Sequence, residues 1–206
     1  MLSLRPIRPE DEALHLAFLQ HLDPEDIRMR VFYSKRTMER SELARLVQID
    51  YAREMAFVAL ATGPDGQPET LGVVRAIVDP DNVTAEFGVI VRSDLKGSGL
   101  GLLLMKKLIA YQHSQGTQRL VATVLKYNER MLKLAKELGF QFDLAQKNEG
   151  DTQEIFLPPY LMFIAHWIRY LATKPTMPKA SPKKMTNVPN FPAFDSQARW
   201  PMMNSI

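Results

Sequence analysis

Between residues 55 and 91 three apolar, β-branched runs follow one another, MAFVALAT, TLGVVRAIVD and TAEFGVIV, separated only by the turn-rich stretches GPDGQP and DPDN. A parallel crossover needs a dozen or more residues, so links this short make the three strands antiparallel neighbours. The order then changes. LLLMKKLIAYQH has the length and composition of a helix, and RLVATVL behind it is again strand-like. Strand, helix, strand places the two flanking strands parallel or splayed apart, so the chain is expected to build a mixed, mostly antiparallel sheet with flanking helices, an α/β fold of the α+β kind.

Elements on either side extend this core. LSLRP is expected as a first strand, and the proline and acids of PEDE open a helix running to about Leu22. DPEDIRMRVFYS is expected to be less regular, TMERSELARLVQID to form a second helix, and NERMLKLAKELGF a third that stops at Gly139. A last strand in DTQEIFLPP closes a domain spanning 1–158. PYLMFIAHWIRYLAT predicts an apolar helix over 159–173, and the proline-rich, basic stretch 174–206 predicts a disordered tail or an extended arm for an acidic partner or membrane surface.

The 206 residues are 46% hydrophobic and 24% charged, which suits one well-cored domain. Cysteine is absent, which removes disulfides, thiolate nucleophiles and cysteine-ligated metals, and His15, His21, His113 and His166 show no metal-ligand spacing. No metal is expected. A net charge of +3 does not call for a nucleic-acid partner. No apolar run reaches the roughly 20 residues of a membrane span, and the N-terminus lacks a signal-peptide core, so a soluble cytoplasmic protein is expected.

The chemistry concentrates in RSDLKGSGLG, residues 92–101, which holds three of the chain's 10 glycines between a strand and a helix. The spacing does not fit the dinucleotide fingerprint Gly-x-Gly-x-x-Gly, and no P-loop string or Gly-x-Ser-x-Gly elbow occurs. A helix start nonetheless offers unpartnered amides and a positive dipole end. From Lys96 to Gly101 no acid is present to satisfy them, which leaves Lys96, Gly97, Ser98, Gly99, Leu100 and Gly101 suited to an anion such as a pyrophosphate. A tight turn packed against a neighbour is the alternative.

Lys96 to Gly101 also resembles the acyl-CoA pyrophosphate loop of the GNAT superfamily of N-acetyltransferases, Gln/Arg-x-x-Gly-x-Gly/Ala, with Lys96 standing at the Gln/Arg position and Gly99 and Gly101 matching. A second GNAT signature, an Asn followed by a helix ending in Leu-Gly-Phe, matches Asn128 and Leu138-Gly139-Phe140. LRPIRPEDE, AEFGVIVRSDLKG and NERMLKLAKELGF resemble more narrowly the catalytic domain of bacterial Pat-type protein lysine acetyltransferases, over residues 4–145. The resemblance implies a GNAT-like fold, acetyl-CoA as acyl donor, and a protein lysine acceptor, with acyl-CoA synthetases as targets. It adds Val89, Ile90, Val91 and Asn128 to the cofactor-binding residues, the strand backbone holding the pantetheine arm and an N–H near Val89 polarising the thioester.

Acetyl transfer needs a neutral amine, and a lysine of ordinary pKa is neutral in only about 1 in 2,500 molecules at pH 7. A proton acceptor is therefore required. Strand alternation puts Thr84, Glu86, Gly88 and Ile90 on one face of TAEFGVIV, which places the Glu86 carboxylate beside a missing side chain. Glu86 is expected to be buried with a raised pKa, the alternative being a solvent-facing acid on an amphipathic strand, and the Pat resemblance implies the same residue as base. The tyrosine that many GNAT enzymes use as general acid is replaced by Ala135. Tyr127, just before Asn128, is expected as a buried ring at a strand end, with a substitute general acid as the alternative. A small-molecule amine acceptor and a non-catalytic acyl-CoA sensor are the competing functions.

Overall fold

The computed structural model describes residues 2–31, 40–142, 150–159 and 161. The elements are β1 (Ser3–Pro6), α1 (Glu12–Gln20), α2 (Pro24–Val31), α3 (Arg40–Val47), β2 (Glu54–Thr62), β3 (Pro68–Val78), β4 (Thr84–Val91), α4 (Leu100–Ser114), β5 (Arg119–Leu125), α5 (Glu129–Glu137), β6 (Gln141–Phe142) and β7 (Thr152–Leu157). The strands form one sheet in the order β1-β2-β3-β4-β5-β7-β6. Every pairing is antiparallel except β4 with β5. The mixed sheet expected from strand order is therefore observed. The expected apolar helix over 159–173, apart from Pro159 and Leu161, and the tail over 174–206 lie outside the described residues.

Alternation along the strands makes two cores. Phe57, Val74, Phe87, Leu120 and Ile155 pack with Leu104, Met105, Leu108 and Ile109 of α4 and Ala135 of α5. On the opposite face Ala56, Val58 and Val73 pack with Ile7, Phe18, Leu22 and Val47. β4 thus divides its side chains as the sequence predicts, Ala85, Phe87, Val89 and Val91 towards the first core, Glu86, Gly88 and Ile90 towards the second.

The segment expected to be irregular is in part a helix, α2. Its apolar positions are too sparse for a stripe, but Pro24 begins it, Glu25 and Asp26 occupy the first turn, and Arg28 and Arg30 the last, all favourable to the helix dipole. Ile27 packs against the second core. β6 is only two residues long, too short for a periodic signal.

His15 on α1 is 4% exposed, and among the described residues its Nδ1 has no hydrogen-bond partner. Burial, aided by the nearby positive charge of Arg75 and opposed by Asp11, lowers its pKa to about 4. The unfolded chain takes up that proton near pH 6.5, so the folded state loses stability as pH falls from about 6.5 to about 4. At about 1.4 kcal/mol per unit the loss comes to about 3 kcal/mol. Urea midpoints measured across this window should fall steeply for the wild-type chain and much less for His15→Leu. Equal slopes would show that His15 does not remain neutral in the fold.

Candidate active site

Register sets the site. β4 pairs with β5 only at Thr84↔Arg119, Ala85↔Leu120 and Glu86↔Val121, whereas its pairing with β3 continues to Gly72↔Val91. Beyond Glu86 the two parallel strands have separated. The Arg92 N–H donates to Leu71 O at 2.9 Å, so antiparallel alternation turns the main-chain groups of Gly88 and Ile90 towards β3 and those of Val89 and Val91 into the opening. A cleft of about 580 Å³ lies there, bounded by Val89–Val91, by the glycine loop and by one face of α5.

The loop is shaped for exposure rather than packing. After a 3-10 turn at Ser93–Leu95 the chain takes positive φ at Gly97 (79°) and Gly99 (84°), and Gly99 forms the N-terminal boundary of α4. These values favour glycine. No side chain caps α4, and no acid lies in its first turn. A Cβ added at Gly97 or Gly99 would meet nothing within 4 Å, which removes the packed-turn alternative at these two positions. Gly97, Gly99, Leu100 and Gly101 line the cleft, and Ser98 is exposed outside its lining.

An acid does reach the loop, but from far away in sequence. Asp26 of α2 forms an ion pair with Lys96 through Oδ1 and accepts from the Ser93 hydroxyl through Oδ2 at 2.5 Å. Ser93 in turn accepts from the Asp23 N–H at 2.8 Å. Lys96 lines the cleft with its ammonium already paired, where sequence suggested a free cation. Arg130 and Lys133 on α5, which sequence reading passed over, bring further cations to the lining. They sit on the polar side of the Asn128-to-Phe140 motif helix, and that charged face was the available signal.

Glu86 points to the face opposite α4, as expected, but it is exposed, so the expected burial is not met. The space beside it is filled. A Cβ on Gly88 would collide with Cζ, Nη2 and Nε of Arg30, whose guanidinium covers the glycine. Arg30 also lines the cleft, and Glu86 does not. Burial and the charge of Arg75 lower the Arg30 pKa, while the Glu86 charge raises it. Arg75 is itself held by Glu54 and by Leu46 O.

Asn128 caps α5, its Oδ1 accepting from the Met131 N–H at 3.1 Å, and lines the cleft, so its NH2 is the part left for a ligand. Ala135 is fully buried, and its side chain has no polar atom to offer. Tyr127 is not buried: it is 41% exposed with the Arg28 guanidinium 5.6 Å from its ring centre. Among the described residues no group of His, Asp and Glu side chains is placed to hold a metal, and no helix is long and apolar enough to cross a membrane.

An uncapped glycine loop opening a helix beside two diverging parallel strands is the arrangement implied by the sequence motifs, and the model of the acetyltransferase (GNAT) domain family matches residues 1–141. The chain belongs to the GNAT acetyltransferase family. Among curated relatives, this GNAT chain is 28% identical over 152 residues to an acetyltransferase of Pseudomonas aeruginosa, covering 74% of this chain and 80% of that one. It is 38% identical over 58 residues to an L-methionine sulfoximine/L-methionine sulfone acetyltransferase of the same species, 28% of this chain and 34% of the relative. Its fold matches the crystal structure of the GNAT domain of S. lividans PAT with a TM-score of 0.67 and 19% identity, covering 76% of this chain and 90% of that domain. As a GNAT member it is an acyl-CoA N-acetyltransferase.

Proposed function

We propose that this GNAT domain transfers the acetyl group of acetyl-CoA directly to a primary amine, with Glu86 accepting the amine's proton. The supporting observation is that the open amides of the glycine loop, the unpaired edge of β4 at Val89 and Val91, and Glu86 all follow one another along a single strand and its exit turn. Under this reading the loop amides and the NH2 of Asn128 hold the anionic part of coenzyme A. The Val89 N–H carries the charge that develops on the thioester oxygen. The amine nitrogen bonds to the carbonyl carbon as its proton passes to Glu86, directly or through water, and the C–S bond breaks. Ala135 supplies no acid, so CoA leaves as thiolate, a leaving group of ordinary pKa near 8.5.

For the acceptor, the Pat resemblance and the likeness in fold to the PAT domain support a protein lysine, with acyl-CoA synthetases as targets. A small amine is favoured by a different observation. The cleft is dominated by Arg30, Lys96, Arg130 and Lys133 against Asp26 and Glu137, and Arg30 stands where the acceptor would approach Glu86. That charge balance suits an acceptor carrying an anion and opposes a polyamine. Thiol release from acetyl-CoA, measured with a purified acyl-CoA synthetase and with a panel of small amines, separates the two. Tight CoA binding with no turnover on either class would instead leave an acyl-CoA sensor.

A further inference from the structure

We propose that Arg30 binds a carboxylate of the acceptor, so that the amine acetylated here belongs to a small molecule of the amino-acid type. The inference rests on the direct-transfer reading for the identity of the reacting amine, and on Arg30 itself for the carboxylate.

Arg30 differs from the other buried or half-buried arginines of the fold. Arg5 is paired with Asp11 at 2.6 Å, Arg75 with Glu54, Arg92 with Glu69 at 2.8 Å and Arg119 with Glu154 at 3.3 Å. Among the described residues the Arg30 guanidinium has neither a hydrogen bond nor an ion pair. Its natural helical partner is Asp26, four residues earlier on α2, but both Asp26 oxygens are committed to Lys96 and Ser93. A guanidinium carries five donors in a planar fork, and those of Arg30, on a half-buried side chain that lines the cleft, are open to a ligand. Here burial and Arg75 act against its charge, and the charge of Glu86 acts for it. A bound carboxylate would offset both, through two parallel charge-assisted hydrogen bonds.

The position of the fork narrows the ligand. Gly88 removes the side chain that would otherwise occupy the guanidinium's place, and it faces the side of the sheet away from α4 and its glycine loop. Arg130 and Lys133 on α5 are separate cations of the lining suited to the phosphates of the donor, Lys96 being already paired with Asp26. An anion at Arg30 therefore enters with the acceptor. Glu86 lies two residues along the same face, about 7 Å by strand rise. A molecule presenting its amine to Glu86 and its carboxylate to Arg30 needs those groups within a few bonds of each other, as in an α-amino acid.

The test uses the full chain saturated with CoA, titrated calorimetrically with each common L-amino acid and with its carboxamide, which keeps the amine and side chain but loses the negative charge. For the preferred side chain the acid should bind at least tenfold more tightly than the amide. Arg30→Gln should bring that ratio close to one, and Arg30→Lys should restore part of it. Gly88→Ala, whose methyl displaces the guanidinium, should also lower the ratio. Equal binding of acids and amides by the wild-type chain overturns the proposal. So does an Arg30→Gln variant that weakens CoA binding and keeps the acid-to-amide ratio, since Arg30 would then serve the donor. Thiol release is read on the same pairs with acetyl-CoA. Carboxylate-dependent binding without acetyl transfer would sink the transferase reading and leave the Arg30 site standing; transfer to amides or protein lysines as fast as to acids would do the reverse.

Discussion

Replacing Glu86 by glutamine should lower kcat by about 10²- to 10⁴-fold, the usual contribution of a positioned acid or base, and leave the affinity for CoA within about twofold. The change is nearly isosteric, and Glu86 is exposed on β4, so neither core loses packing. What is lost is the group that takes the amine's proton. The donor should not notice, because Glu86 is absent from the cleft lining that holds Lys96, Gly99 and Asn128. Initial rates of thiol release, paired with calorimetric titration of CoA, measure the two halves separately. A variant that turns over at the wild-type rate would move proton acceptance to water or to another group. One that loses CoA binding as well would mean that Glu86 holds the cleft open rather than performing chemistry.

What the sequence made legible was whatever depends on short-range periodicity. The alternation in TAEFGVIV assigned Glu86 and Gly88 to one face and Val89 and Val91 to the other, and the order strand, helix, strand pointed to parallel or splayed neighbours, which β4 and β5 are. The glycine loop was legible because positive φ at Gly97 and Gly99 leaves a compositional mark. Contacts across 58 to 70 residues of chain leave none. Asp26 meets Lys96, and Arg30 covers Gly88, only because α2 packs beside β4, and α2 itself was hidden by its few apolar positions. The empty place beside Glu86, read from sequence as room for a buried carboxylate, is occupied by an arginine that no local pattern announces. Glu86 thus meets a cation and solvent where burial was expected.

Two glycines only two positions apart, about 3 Å by helix rise, should respond in opposite ways to an added side chain. At Gly99, φ is 84°, and a residue with a Cβ held in that left-handed region costs about 1–2 kcal/mol. Gly99→Val should therefore lower the thermal midpoint by several degrees. Its larger effect should be on the donor. Either the loop keeps its course and places a branched side chain across the open amides, or it relaxes and turns them away, and losing even one charge-assisted hydrogen bond to a phosphate weakens CoA binding about 10- to 100-fold. Gly101 is different because it lies inside α4, where a Cβ would meet only Leu134 Cδ2 at 3.5 Å and Val91 Cγ2 at 3.8 Å, ordinary contact distances. Gly101→Ala should stabilise the fold by on the order of 0.5 kcal/mol, by removing backbone freedom from the unfolded chain, and keep CoA affinity within a few-fold. Calorimetry with CoA and thermal unfolding of both variants provide the comparison. If Gly99→Val binds CoA as the wild type does, the uncapped helix start is not where the diphosphate sits.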